Sequence, residues 1–112
     1  MSRVKYYFNT ILFCFLSFAA STQSDLKFIN YTITNGLSQS MVSTILEDDY
    51  HGIWIGTQEG LNHFDGREFR VYNRENTADM HSAYITSSVK TANGELWFGT
   101  VNGLLLFNSK TE

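Results

Sequence analysis

Between residues 41 and 107, apolar and polar positions alternate in short runs set apart by turn residues. Met41 to Leu46 reads MVSTIL and places Val42 and Leu46 on one face of an extended chain, since successive side chains of a strand point to opposite sides. Ile53-Trp54-Ile55-Gly56 and Leu96-Trp97-Phe98-Gly99 are too short for helices and rich in β-branched and aromatic side chains, which predicts strands. Gly60 to Phe64 (GLNHF) and Gly103 to Phe107 (GLLLF) predict one more strand each, and Glu68 to Tyr72 (EFRVY) another, with Phe69 and Val71 alternating with Arg70. Asp49-Tyr50-His51-Gly52, Asp65-Gly66 and Asn93-Gly94 supply the turns between them.

The pattern is written twice. With Trp54 set against Trp97 the offset is 43 residues, and Gly56 then meets Gly99, Thr57 meets Thr100, Gly60 meets Gly103, Leu61 meets Leu104 and Phe64 meets Phe107. Upstream, Val42 meets Ile85 and Leu46 meets Val89. The turn glycine is displaced by one place between the copies, so the two turns need not share a type. A repeat of about 40 to 50 residues made of short strands signals a propeller, in which each blade is a four-stranded sheet. The expected fold is therefore all-β, built of antiparallel β-propeller blades. One blade spans about residues 37–73 and a partial second blade about 80–112, ending at Lys110-Thr111-Glu112 before a fourth strand. Leu26 to Thr32 (LKFINYT) has the Phe-x-x-Tyr spacing of Phe69 and Tyr72 and predicts the last strand of a preceding blade. Trp54 and Trp97 are expected to fill the space between neighbouring sheets, and Gly56 and Gly99 to relieve crowding or to allow positive φ. Repeat arrays need about three units before stacked neighbours bury enough surface. The expected partners are thus the remaining blades of a longer chain.

These residues resemble the regulator propeller repeat of hybrid two-component sensors. The resemblance rests on Gly36-Leu37-Ser38, Ile45, Asp48 and Asp49, Ile53-Trp54-Ile55-Gly56-Thr57, Gly60-Leu61, Phe64-Asp65, Phe69 and Tyr72. The second copy keeps Gly94, Leu96-Trp97-Phe98-Gly99-Thr100, Gly103-Leu104 and Phe107, but has Asn108 in place of Asp65 and lacks the Gly-Leu-Ser triplet. The resemblance implies a periplasmic sensor region that binds a ligand, an oligosaccharide in such sensors, and signals to a histidine kinase core downstream. It gives this chain no kinase activity and no cofactor. The alternatives are a piece of a secreted propeller enzyme, such as a polysaccharide lyase or glycosidase, and a defunct truncated product.

The first residues add a compartment. Arg3 and Lys5 precede the uncharged apolar run Ile11 to Ala20, and small residues follow, the layout of a secretory signal peptide over residues 1–21. The run is about half the length of roughly 20 residues that a spanning helix needs. Cleavage after Ala19 and cleavage after Ser21 both satisfy the small-residue rule. The lone cysteine, Cys14, lies within that run, so the exported part has no disulfide framework. Loss of Arg3 and Lys5 takes the formal net charge from −3 to −5, and no basic stripe is present to neutralise phosphates, which excludes a nucleic-acid role for this segment. After cleavage no membrane attachment is expected.

Candidate chemistry is sparse. His63 and Asp65 would share a strand face, but a surface histidine beside a turn aspartate is the stronger reading. His51 falls in a turn and His81 in the linker. Glu47-Asp48-Asp49 lacks the alternate spacing of a calcium loop and reads as a solvated turn or hairpin cap. Trp54 and Trp97 would stack on a sugar only if exposed, and their place among apolar residues favours the core. Tyr50, at a loop tip, is the better exposed aromatic. Asn30-Tyr31-Thr32 has the form of a glycosylation acceptor. No nucleophile elbow, metal-ligand spacing or phosphate loop is present, so no catalytic, cofactor or metal residue is assigned.

Overall fold

The computed structural model describes residues 24–108. The signal peptide expected over residues 1–21 and the tail from Lys110 to Glu112 lie outside them. Seven strands form two antiparallel sheets: β1 (Val42–Glu47), β2 (Ile53–Thr57), β3 (Gly60–Phe64) and β4 (Phe69–Tyr72) in one, β5 (Ile85–Lys90), β6 (Leu96–Thr100) and β7 (Gly103–Phe107) in the other. Each sheet is a meander, in the orders β1-β2-β3-β4 and β5-β6-β7. The all-β reading therefore holds: these are two blades of an open propeller, face to face.

The copies share detail that the residues alone do not display. Both first strands carry an irregularity at the second residue, Ser43 in β1 and Thr86 in β5. In both β2–β3-type hairpins a threonine hydroxyl staples the turn. Thr57 Oγ1 donates to the Gly60 carbonyl at 3.2 Å and accepts from the Glu59 N–H at 3.1 Å. Thr100 Oγ1 does the same with Gly103 and Asn102, at 3.0 and 3.1 Å. The first turns also coincide. The Asp48 N–H donates to the Gly52 carbonyl and the Thr91 N–H to the Glu95 carbonyl, both at 2.9 Å. His51, at φ 66°, takes the left-handed position that Gly94 takes at φ 81°. The displaced glycine thus does not signal a change of turn. Gly52 is needed for a different reason, because a Cβ there would overlap both His63 and Asp48.

One expected strand is missing. Leu26 to Thr32 forms no strand; Thr32 caps a short 3-10 turn over Ile33–Asn35, closed by Gly36 at φ 111°. A fourth strand of another blade needs its own sheet to pair with, and without that ladder its backbone has no partner. Its Tyr31 instead packs on Phe64 and Phe69, with ring centroids 4.9 and 5.8 Å apart.

The core lies between the sheets. Trp54, Leu61, Met80, Ile85, Leu96 and Phe98 are buried together, with Leu46, Tyr72, Leu105 and Phe107 packed around them. On the β1–β5 side the seam is polar: Ser43 Oγ donates to the carbonyls of Gly56 and Ile85, at 2.9 and 2.6 Å, and the Thr44 and Ser88 hydroxyls are hydrogen-bonded. Gly56 lets the second sheet come this close. A Cβ on it would stand 2.5 Å from Ile85 Cγ2 and 2.8 Å from Thr44 Cγ2. Of the two roles open to Gly56 and Gly99, relief of crowding is the one seen, since neither has positive φ. Gly56→Ala is expected to lower stability by about 1–3 kcal/mol through overpacking of this seam, read as a fall in the urea midpoint followed by tryptophan emission.

Candidate functional site

The centre of the molecule is the Trp54 indole. Its alternation in β2 points it into the second sheet, where it is 2% exposed. It lies 4.5 Å from the Phe107 ring and 5.8 Å from those of Phe98 and Tyr72, measured between centroids. An indole N–H buried in this way needs an acceptor. Asp48 supplies it: Trp54 Nε1 donates to Asp48 Oδ2 at 2.9 Å. The other oxygen, Oδ1, accepts the backbone N–H groups of Tyr50 and Gly52 at 2.8 and 2.9 Å. Asp48 is therefore the hairpin cap among the two roles expected of the acidic run, and it anchors the tryptophan at the same time; at 6% exposure it is buried rather than solvated.

His63 completes this group. It does not pair with Asp65; its Nε2 stands 3.6 Å from Asp48 Oδ2, and its ring leans on Trp54 with centroids 4.6 Å apart. Burial pushes the Asp48 carboxyl up. The hydrogen bonds from Trp54, Gly52 and Tyr50 and the nearby His63 outweigh that, and it is held below the ordinary 3.8. Asp65 is also held low, by the Glu68 and Arg67 N–H groups of its hairpin, its side chain standing in water.

Around this group opens a cleft of about 390 Å³, lined by Asp48, Tyr50, Trp54, His63, Arg70, Tyr72 and Phe107. Strand pairing sets Arg70 of β4 opposite His63 of β3. The Arg70 guanidinium sits over the Tyr72 ring, 5.3 Å from its centroid. Tyr50 is exposed at the lip, as expected of it. No group of three or more His, Cys, Asp or Glu side chains able to hold a metal occurs among the described residues.

A second network joins the lead-in of the first copy to its blade. Asn62, fully buried, accepts the Ser38 N–H at Oδ1 (2.9 Å) and donates from Nδ2 to the Ser38 hydroxyl (2.8 Å) and the Ile55 carbonyl (3.0 Å). The Ser38 and Thr57 hydroxyls are 2.7 Å apart. The Gly-Leu-Ser triplet is therefore a clamp: Gly36 ends the turn, Leu37 is buried and Ser38 bonds to β3. At the 43-residue offset Met80 occupies the place of Leu37 and is buried in the same way, which sequence inspection missed because the triplet is gone. Leu105 replaces Asn62, so the second copy has no such network.

The repeat residues divide by position in the stack. Trp54, Gly56, Thr57, Gly60 and Leu61 are buried, Phe64 half-buried and Asp65 exposed. In the second sheet Trp97, Gly99, Thr100 and Phe107 are half-buried, while Gly103 and Leu104 are exposed. Leu61 is 4% exposed and Leu104 71%, since the first is covered by the second sheet. Trp97 lacks an aspartate at the Asp48 position and donates instead to Glu95 Oε2 at 3.3 Å.

The sheets and their seam define part of a β-propeller. Residues 36–59 match the family model described as "Two component regulator propeller", so the chain carries a repeat of that kind. Over 76 residues, 67% of its length, the chain is 43% identical to "Histidine kinase P4" of Formosa agariphila, of which it spans 6%. The extracellular domain of a hybrid two component system from B. thetaiotaomicron shares the fold, with TM-score 0.66 and 23% identity over 79% of this chain and 12% of that one. Among the described residues no helix is long and apolar enough to cross a membrane.

Asp48→Asn is expected to lower stability at neutral pH by roughly 1–3 kcal/mol, because an amide cannot serve all three donors as a carboxylate does. A carboxylate held low in the folded state contributes stability above its unfolded value near 3.8, lost as pH falls through the folded value. Urea midpoints measured from pH 7 down to 3 should therefore fall less steeply for the variant than for the parent chain.

Proposed function

We propose that this chain forms blades of an exported sensor propeller of a hybrid two-component regulator. In this reading residues 1–21 direct export and residues 22–112 belong to the propeller. The blades hold an oligosaccharide, and occupancy is passed to a histidine kinase elsewhere in a longer protein. The seam around Trp54 carries the reading: it is a blade-to-blade contact, and the second sheet presents the same kind of surface again. Leu104 and Leu106 are 71% and 51% exposed there, suited to cover by a further blade. The likeness to a histidine kinase of Formosa agariphila supports the signalling role. The cleft with its aromatic and polar lining supports a sugar ligand.

The test is a panel of oligosaccharides added to the purified chain, with melting temperature and the sugars' chromatographic profile both followed. A sensor blade binds at least one of them, raises the melting temperature and returns the sugar intact. Consumption of the sugar would instead identify a propeller enzyme, and no response to any sugar would overturn the saccharide reading.

A further inference from the structure

We propose that the cleft between the sheets binds an anionic saccharide unit, one bearing a carboxylate or a sulfate, with Arg70 and His63 gripping the anion and Tyr50 facing the ring. The proposal rests on the saccharide reading above and names the class of sugar. Arg70 carries the argument. A guanidinium offers five donors in a planar fork suited to carboxylate and sulfate-like oxygens. Among the described residues the Arg70 side chain makes no hydrogen bond and no ion pair; its guanidinium stacks over Tyr72. That stack holds the fork at the cleft with its donors uncommitted. Glu68, two residues earlier on the same strand side, is not paired with it.

His63 stands beside Arg70 through the β3–β4 register, with its side chain 27% exposed. Its ring likewise makes no hydrogen bond among the described residues, with Nε2 3.6 Å from Asp48 Oδ2. Asp48 keeps its charge beside His63, but both its oxygens already accept, from Trp54, Tyr50 and Gly52, so it adds no free acceptor to the cleft and the charge left for a ligand is that of Arg70. What the cleft offers a ligand is therefore donors and aromatic faces. Its volume of about 390 Å³ suits a small ligand, for which sites run from about 300 to 1,000 Å³. A neutral sugar gives the guanidinium only neutral acceptors, whereas a carboxylate or sulfate makes ionic hydrogen bonds with it, about twice as strong. The chain is acidic elsewhere, with formal net charge −3, so an anion has little reason to settle on the rest of its surface.

Three disaccharides of equal size serve as probes of the purified chain: one with a uronate unit, one sulfated and one neutral. Trp54 borders the cleft, so its emission reports binding alongside calorimetry. At least one anionic probe should bind about tenfold or more tightly than the neutral one, and which of the two binds identifies the anion. Arg70→Gln should weaken that binding about tenfold or more, while Arg74→Gln, of equal charge change but in the linker at the opposite end of the blade, should not. Arg70 is exposed, so its variant should keep the parent's circular dichroism. His63→Gln should also weaken binding, by a smaller factor. Equal binding of the neutral probe, or an unchanged affinity in Arg70→Gln, overturns the proposal. If only the neutral probe binds, this proposal falls and the sensor reading stands; if no saccharide binds, both fall.

Discussion

The structure turns on one buried indole. Trp54 reaches from the first sheet into the second, and rings from β4, β6 and β7 close around it. Burying a ring of this size removes more apolar surface from water than most single side chains can, so it contributes heavily to holding two small sheets together. The indole also brings an N–H into a place without water. That donor obliges the chain to place an acceptor beside it, and the Asp48 turn answers the need. One side chain thereby fixes the sheet-to-sheet distance, the shape of a turn and the floor of a cleft.

Much of the blade was legible. Strand faces followed from alternation at Ile53 to Gly56 and at Glu68 to Tyr72, and the hairpins from Asp65-Gly66 and Asn93-Gly94, because period and turn chemistry act within a few residues. The 43-residue offset predicted which positions would correspond, and the clasp made by Thr57 recurs at Thr100. The capping role of Asp48 was legible but its burial was not, because an acidic run looks solvated when its neighbours are counted along the chain. Its decisive partner is six residues on, across a hairpin. A donor-bearing ring two residues past the turn glycine was the signal available. Leu26 to Thr32 failed for the opposite reason: local resemblance to a strand counts for little when no sheet edge is there to receive it.

The cleft was the least legible part. His63 was weighed against Asp65, its neighbour along the strand, whereas its neighbours in space come from the first turn and from β4. Arg70 read only as the polar, solvent-facing position alternating with Phe69 and Val71. Only strand pairing sets it beside His63, and only the fold of Tyr72 beneath it shows why it stays there. The chain corresponds to only 6% of the histidine kinase it resembles and 12% of the extracellular domain whose fold it shares. The chemistry of the cleft is thus a property to be argued from these side chains themselves.

The two edges of the seam are made of different materials. Along β1 and β5 the sheets touch through hydroxyls and carbonyls, Ser43 with Ile85 and Thr44 with Ser88; towards β4 and β7 they touch through rings. A hydroxyl contact can be exchanged for water at little cost, whereas parting stacked rings forfeits buried area. The compliance of the pair is therefore lopsided. A small adjustment between the blades costs less at the hydroxyl edge than at the ring edge.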